Sequence, residues 1–156
     1  IRLICLGNLK EEYWRAAVAE YAKRLSKSCT LEVIELPEAP IPKPGTPAQI
    51  QAGLEAEGEK ILSRLTGGYT IALCVEGKAL NSEQFAEKIG SLMSSGVQVV
   101  NIVIGSSHGL SPRIKQCADL RLSVSAMTLP HQMARVFLLE QLYRAFDILG
   151  PRKYDK

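Results

Sequence analysis

Residues 99–109 read VVNIVIGSSHG, and residues 122–131 read LSVSAMTLPH. The first segment joins an apolar strand pattern to a turn of small residues, and the second is a run of apolar and hydroxyl side chains. A long amphipathic segment follows, and both histidines of the chain, His108 and His131, lie in this region. Because α/β proteins place ligand sites at the turns that follow strands, we expect the functional site here.

Length and composition are those of a globular protein. The chain has 156 residues, 46% of them hydrophobic and 22% charged, which predicts one domain over residues 1–156. No apolar run approaches the ~20 residues of a membrane helix, and no secretory leader is recognisable. The cysteines form no pair at metal-ligand spacing, so we expect reduced thiols in a cytoplasmic protein without a metal site. They are Cys5, Cys29, Cys74 and Cys117.

The basic residues are concentrated towards the C-terminus. A net charge of +3 is too small to indicate a nucleic-acid-binding protein by itself. Residues 111–156, however, carry 8 Lys and Arg against 4 Asp and Glu. A solvated surface and a contact for an anionic partner such as RNA are both compatible with this surplus.

Hydrophobic periodicity predicts that strands and helices alternate along the chain. Apolar or β-branched runs predict strands at residues 1–6, 31–36, 69–75, 97–104 and 121–125. Apolar residues at three- and four-residue spacing predict helices at 11–27, from Pro47 to Gly67-Gly68, from Asn81 to about Ser95, from Pro112, and at 131–149. This order predicts an α/β fold with a largely parallel sheet and helices on both faces.

Turn and cap signals separate these elements. Thr46-Pro47 and Ser111-Pro112 are helix-start signals, and Asn81 with Gln84 resembles a capping box. Five prolines in the eleven residues 37–47 predict an irregular, mobile loop. The segment 76–78, Glu-Gly-Lys, predicts a turn after the third strand.

The turn at 105–109 matches G-x-S-x-G between a strand and a helix, which is the context of the nucleophile elbow in α/β-hydrolases. In a serine hydrolase, Ser107 would be the nucleophile, Asp119 the acid and His131 the base. The chain is short for that fold, and three matching residues are a weak pattern. The glycine spacing fits neither the dinucleotide fingerprint nor the P-loop, so no specific nucleotide is indicated.

Each candidate residue also has a structural explanation. A histidine in a turn, such as His108, is more often structural than catalytic, and His131 after Pro130 is placed to cap the last helix. Glu140 and Arg144 stand four residues apart and can pair on the helix surface. These explanations and the catalytic ones stay open when the residues are taken singly.

Several longer segments form a specific combination. The most specific are LSVSAMTLPHQM at 122–133 and EQLYRA at 140–145, with Ile104-Gly105, Gly109-Leu110-Ser111 and Arg135-Val136. Others run along the chain: GNLKEEYW at 7–14, EY at 20–21, KRL at 23–25, EGE at 57–59, GK at 77–78 and Tyr154. Taken together, these segments resemble the RlmH family of SPOUT methyltransferases, which methylate N3 of a pseudouridine in large-subunit ribosomal RNA.

This resemblance implies an α/β fold whose C-terminal part is threaded through a loop as a trefoil knot, which is exceptional because chains rarely thread loops. It also implies a homodimer whose knot loops bind S-adenosylmethionine. Matched by position, the implied cofactor contacts are Leu73, Gly105, Val124, Ser125, Ala126, Met127, Thr128 and Leu129.

The implied substrate is a pseudouridine in the helix 69 loop of 23S rRNA within assembled ribosomes. The partner's C-terminal tail is expected to complete the active site. The catalytic residues implied by position are Arg144, Tyr154, Asp155 and Lys156. The basic residues expected to meet phosphates are Arg135, Arg144, Arg152, Lys153 and Lys156. The resemblance implies neither a metal nor a membrane.

Two positions depart from the family pattern. The family usually has Gly-Gly where this chain has Gly105-Ser106, and a side chain at 106 is expected to narrow the approach to the cofactor and tilt its methionine end. The family usually ends Tyr-His-Lys or Tyr-His-Arg, so Asp155 is expected to act as acceptor or base in place of histidine. These departures leave an inactive ribosome-binding homologue as an alternative, beside the serine hydrolase.

Overall fold

The computed structural model describes residues 1–150. Within them, strands and helices alternate in the predicted order. The elements are β1 (Arg2–Leu6), α1 (Glu12–Leu25), β2 (Glu32–Leu36), α2 (Pro47–Leu62), β3 (Tyr69–Ala79), α3 (Ser82–Ser94), β4 (Val100–Ile104), α4 (Pro112–Cys117), β5 (Leu120–Ser123) and α5 (His131–Leu149). No helix within residues 1–150 is both long enough and apolar enough to cross a bilayer.

The strands form one parallel sheet in the order β2-β1-β4-β3-β5. Every residue of β4 is buried, as expected for a central strand covered on both faces. Leu73 of β3 pairs with Ile104 of β4 and Leu122 of β5. The segments that follow these three strands therefore lie at the same edge of the sheet, and the predicted parallel architecture is confirmed.

Helices cover both faces of the sheet, as predicted. On one face α1, α3 and α5 contribute to a core that includes Leu3, Leu25, Ile89, Ile102 and Leu139. On the other face α2 and α4 contribute to a core that includes Ile4, Ile61, Val103 and Ile114. Each fully buried aliphatic side chain of this kind contributes roughly 1.5–3 kcal/mol to folding.

The predicted helix starts are confirmed by their caps. The Thr46 hydroxyl accepts from the Gln49 N–H and the Gln49 side chain accepts from the Thr46 N–H, which completes a capping box. Asn81 and Gln84 form a second box at α3, and the Ser111 hydroxyl accepts from the Ile114 N–H. His131 was expected to cap α5; instead Pro130 occupies the N-cap position, without a side-chain cap bond to any described residue.

The turn expected at residues 76–78 is wrong. β3 continues to Ala79, and its register against β5 shifts between Leu73 and Lys78, which both pair with Leu122. A Cβ on Gly77 would lie 2.7 Å from backbone carbons of Arg121 and Leu122. The glycine therefore permits close approach of two strands instead of ending one.

The proline-rich loop is irregular, as predicted, and it lies along α2. The Ala39 N–H donates to Glu57 Oε1 at 2.9 Å, and Lys60 Nζ donates to the Pro37 carbonyl at 2.9 Å. Glu57 and Lys60 stand three residues apart and so share one face of the helix. This face of α2 therefore holds the first residues of the loop.

Candidate functional site

A cavity of about 750 Å³ opens at the carboxyl edge of the sheet. Its described lining comes from residues 73–76 of β3, residues 104–110 after β4, residues 124–125 and 127–132 after β5, and Lys115 and Ala134. Its volume lies within the range of small-molecule and cofactor sites. The parallel register explains its position, because the segments after β3, β4 and β5 meet at this edge.

The structure places the residues expected to contact a cofactor at this cavity. In the described part of the chain, all of them except Ala126 line it: Leu73, Gly105, Val124, Ser125, Met127, Thr128 and Leu129. Two local hydrogen bonds shape the loop after β5. Ser123 Oγ donates to the Ser125 carbonyl at 3.0 Å, and Ser125 Oγ accepts from the Met127 N–H at 2.9 Å.

The turn 105–109 closes on itself by backbone contacts. The Gly109 N–H donates to the Ser106 carbonyl at 2.9 Å. A Cβ on Gly105 would lie 2.2 Å from the Gly109 carbonyl oxygen, so no larger residue fits without moving the turn. The need for glycine at 105 therefore arises from the turn itself.

Ser106 does not direct its hydroxyl into the cavity. Its Oγ donates to Glu57 Oε2 at 2.8 Å, and both residues are buried, at 8% and 2% exposure. Glu57 belongs to α2 and lies outside the described lining of the cavity. Ser106 itself belongs to the cavity lining, so the expectation that a side chain at 106 narrows the approach to the cofactor stays a prediction, although its hydroxyl is bonded to α2.

The triad of a serine hydrolase is not assembled. Asp119 Oδ2 accepts from the Thr70 N–H at 2.7 Å, at the start of β3 and hence at the opposite edge of the sheet from the turn. Ser107 Oγ lies 3.4 Å from Nδ1 of the neighbouring His108, and both residues are exposed. Of the three proposed members, Ser107 and His131 line the cavity and the acid does not.

His131 is half-buried at the cavity wall. Burial lowers the pKa of His131 below its usual 6.5, and the nearby Arg135 lowers it further, while Glu38 acts in the opposite direction. Its Nε2 lies 3.8 Å from Glu38 Oε1. The imidazole is therefore mainly neutral at pH 7.

Sequence reasoning missed a charged pair at the cavity. Lys115 of α4 donates to the carboxylate of Glu76, and this hydrogen bond lowers the pKa of Glu76. Both residues line the cavity, together with Cys74, whose thiol pKa is raised by burial. Glu76 was assigned to a turn instead of the end of a strand, so it was not expected at the site. No sequence pattern identifies Lys115 as a site residue, because only the packing of α4 brings it to the cavity.

Arg135 was expected to meet phosphate, and the structure corrects this. Its side chain is 1% exposed and donates to Glu35 Oε1 at 2.6 Å and to the carbonyls of Leu6 and Gly7 at 2.8 and 2.5 Å. A guanidinium engaged in this way within the protein cannot reach an external phosphate. Arg135 instead anchors the end of β1 to α5.

Arg144 lies on the surface of α5, where it pairs with Glu140 as the spacing predicted, with 3.0 Å between its Nε and Glu140 Oε1. It lies outside the described lining of the cavity. The other expected catalytic residues, Tyr154, Asp155 and Lys156, fall outside the described residues, as do Arg152 and Lys153. All four cysteines are free. Within residues 1–150, no group of three or more His, Cys, Asp or Glu side chains could hold a metal ion.

Known proteins resemble this chain over its full length. The family model described as "Predicted SPOUT methyltransferase" matches residues 1–155. Ribosomal RNA large subunit methyltransferase H of Limosilactobacillus reuteri (strain DSM 20016) is 41% identical over 157 residues, covering 100% of this chain and 99% of the relative. The protein of the same name from Bifidobacterium animalis subsp. lactis (strain AD011) is 43% identical with the same coverage.

Solved structures share the fold at low sequence identity. A probable methyltransferase from Bordetella pertussis Tohama I aligns over 93% of each chain with a TM-score of 0.56 and 18% identity. The tRNA (m1G37) methyltransferase from Aquifex aeolicus aligns over 100% of this chain and 72% of that chain, with a TM-score of 0.54 and 15% identity. The implied trefoil knot is consistent with this likeness. Because the family match and the identity to the relatives both extend over essentially the full length, the chain belongs to the SPOUT methyltransferase family.

Proposed function

We propose that this protein uses S-adenosylmethionine to methylate N3 of a pseudouridine in the helix 69 loop of 23S rRNA, in assembled ribosomes in the cytoplasm. One observation carries the proposal: all but one of the residues that the family resemblance assigns to the cofactor line one cavity at the carboxyl edge of the sheet. The names of the full-length relatives support ribosomal RNA as the substrate. The whole chain is proposed to act as one domain.

The cavity residues fit S-adenosylmethionine. Leu73, Ile104, Val124 and Leu129 offer apolar walls for an adenine, and the backbone of the loop after β5 offers donors and acceptors. Residues 122–129 carry no charged side chain, which suits an apolar slot for the adenine. When bound, S-adenosylmethionine supplies an electrophilic methyl group.

The protein contributes by binding and orienting the two reactants and by removing a proton from the substrate. Holding the two reactants in line supplies much of the rate, since alignment replaces a bimolecular encounter. The imide N3 must lose its proton at or before transfer, and we assign this to Asp155 as acceptor or base. Tyr154, Lys156 and Arg144 are proposed to position the nucleotide at the cavity of the partner subunit.

A homodimer is supported by apolar side chains left exposed on α1 and α5. Tyr13 is 63% exposed, and Met133 and Phe137, one helical turn apart, are 41% and 38% exposed. A dimer that covers these residues would bury apolar surface that a lone chain leaves in water. It would also allow the tail of one subunit to reach the cavity of the other.

Basic side chains of α4 and β5 are proposed to contact ribosomal RNA. Arg121 is exposed, and Arg113 and Lys115 form ion pairs with Glu59 and Glu76 that are partly or fully solvated. Exposed ion pairs of this kind are weak, so phosphates can replace the carboxylates. Since one small domain offers little RNA-binding surface, recognition should depend on the shape of the assembled ribosome.

The test uses ribosomes from a strain that lacks the enzyme. Incubation with the protein and S-adenosylmethionine should add one methyl group to the helix 69 pseudouridine, detected by nucleoside mass spectrometry. Asp155→Ala should slow this reaction and Asp155→His should preserve it. Unchanged rates in both variants would remove Asp155 from the mechanism.

Two other outcomes identify the alternatives. No heat on calorimetric titration with S-adenosylmethionine would indicate a ribosome-binding homologue without activity. Ser107→Ala should leave cofactor binding largely intact, and labelling of Ser107 by a fluorophosphonate would instead indicate a hydrolase.

A further inference from the structure

A buried carboxylate of α2 links the turn at 105–109 to the loop at 38–39. Glu57 is 2% exposed, yet both its oxygens are used: Oε1 accepts from the Ala39 N–H at 2.9 Å and Oε2 accepts from Ser106 Oγ at 2.8 Å. A carboxylate is costly to bury unless its acceptors are satisfied. The burial of Glu57 between these two donors therefore indicates that it holds them in fixed positions.

The two donors belong to different segments, and of the two only Ser106 is among the described lining of the cavity. Ser106 closes the turn 105–109 through its backbone carbonyl, and this turn forms the wall after β4. Ala39 adjoins Glu38, whose carboxylate lies 3.8 Å from Nε2 of His131 in the wall at the start of α5. One carboxylate thus ties the turn directly and reaches the second wall through the loop at 38–39.

The helix that carries Glu57 is itself fixed against the sheet. A Cβ on Gly58 would lie 2.6 Å from Ser111 Oγ, so α2 presses closely on the residue that caps α4. Ile61, one turn further along, is 1% exposed in the same core as Val103 and Ile114. Glu57 therefore holds its two partners relative to a rigid support.

We propose that Glu57 is a positioning residue for the cofactor cavity, which acts through Ser106 and Ala39 to set the separation of the 105–109 turn and the His131 wall. The inference rests on the proposed use of S-adenosylmethionine at this cavity. In this role the serine at position 106 helps to fix the position of the 105–109 turn, because its hydroxyl supplies one of the two donors that Glu57 needs.

The test is titration calorimetry of the full chain with S-adenosylmethionine, alongside thermal melting. Ser106→Ala should weaken binding about 10-fold, the effect expected from losing one hydrogen bond to a charged group. Glu57→Ala loses both hydrogen bonds and should weaken binding at least as much. Glu57→Gln should bind nearly as wild type does. Its amide oxygen can accept from the Ala39 N–H, and its amide NH₂ can donate to the Ser106 hydroxyl, which rotates to accept.

The matched control is Ile61→Val, which loosens α2 without touching the turn. It should lower the melting temperature and leave the dissociation constant unchanged. The double variant Glu57→Ala with Ser106→Ala should bind no more weakly than Glu57→Ala alone, because both changes remove the same link.

Binding within 2-fold of wild type in Ser106→Ala would overturn the inference, as would equal weakening by Ile61→Val. If Glu57→Ala does not fold, Ser106→Ala and Glu57→Gln decide the question. Failure of the wild type to bind S-adenosylmethionine would overturn the proposed function and this inference together, whereas normal wild-type binding with unaffected variants overturns the positioning role alone.

Discussion

Arg135 is a fully buried cation whose bonds join distant parts of the chain. It connects α5 to Glu35 of β2 and to the last carbonyls of β1, 128 and 129 residues away in sequence. Removing one member of a buried charged pair is costly because its partners lose their donor. Arg135 is therefore a structural residue that holds α5 against the sheet, although the sequence alone suggested an RNA contact.

Arg135→Ala should lower the free energy of unfolding by about 3 kcal/mol, since two backbone carbonyls lose their donor and a cavity remains. Urea denaturation measures this change. Arg113→Ala is the matched control, because its pair with Glu59 is exposed and should contribute less than about 1 kcal/mol. Equal losses in the two variants would contradict the anchoring role.

His131 should make stability depend on pH in mildly acidic solution. Its folded pKa lies below the unfolded value of 6.5, so the unfolded state binds more protons as the pH falls below 6.5. The stabilising contribution is therefore complete above pH 6.5 and is lost as the pH falls towards the folded pKa.

The measurement is urea denaturation of wild type and His131→Gln at several pH values between 7.5 and about 5, above the range in which carboxylates titrate. The variant should lose less stability on acidification than the wild type. Identical pH slopes for the two proteins would show that His131 does not titrate differently on folding.

Among the secondary-structure elements, β3 extends to Ala79 because its last residues pair with β5. A Glu-Gly-Lys segment is a common turn signal, but here β5 pairs with residues on both sides of the register shift. The glycine serves the close approach of the two backbones. Because residues 73–76 of this strand also line the cavity, the pairing shapes the site as well as the sheet.

Gly77→Ala should destabilise the fold by roughly 1–3 kcal/mol, since the added methyl overlaps the backbone of β5. Gly67→Ala is the control, because a Cβ there has no described heavy atom within 4 Å and should be neutral or slightly stabilising. Thermal and urea unfolding compare the two. Equal tolerance at both positions would mean that the strands can separate at little cost.

At the scale of the whole molecule, dimerisation links the proposed chemistry to the surface of α5. Phe137→Glu should convert the dimer to a monomer, because it places a charge beside Met133 on the exposed apolar side of α5 that is proposed to meet the partner. Size-exclusion chromatography with light scattering gives the mass. Met93→Glu on α3 is the control, since Met93 is also exposed, at 56%, but lies on another helix.

A monomeric wild type, or a dimer that survives Phe137→Glu, would exclude this surface as the interface. If the tail completes the partner's active site, the monomeric variant should also lose methylation of ribosomes while it retains binding of S-adenosylmethionine. Loss of both would instead indicate damage to the fold of the cavity.

Local patterns determined the element order, the parallel α/β class and the main helix caps, because periodicity and capping depend on residues a few positions apart. Thr46, Asn81 and Ser111 cap helices where the sequence placed them. The region of the site was also predictable, since the segments after β4 and β5 carry the small and apolar residues that such a cavity needs. The resemblance to a family added candidate residues that no local pattern identifies.

The hydrogen-bond partners of the buried polar side chains around the cavity follow from the tertiary structure alone. Ser106 bonds to Glu57 across 49 residues, and Arg135 bonds to Glu35 across 100. Such partners are chosen by which faces of distant elements pack together, and neither spacing nor composition encodes that choice. The same reason explains the register shift in β3, because its pairing depends on a strand that the chain reaches more than 40 residues later.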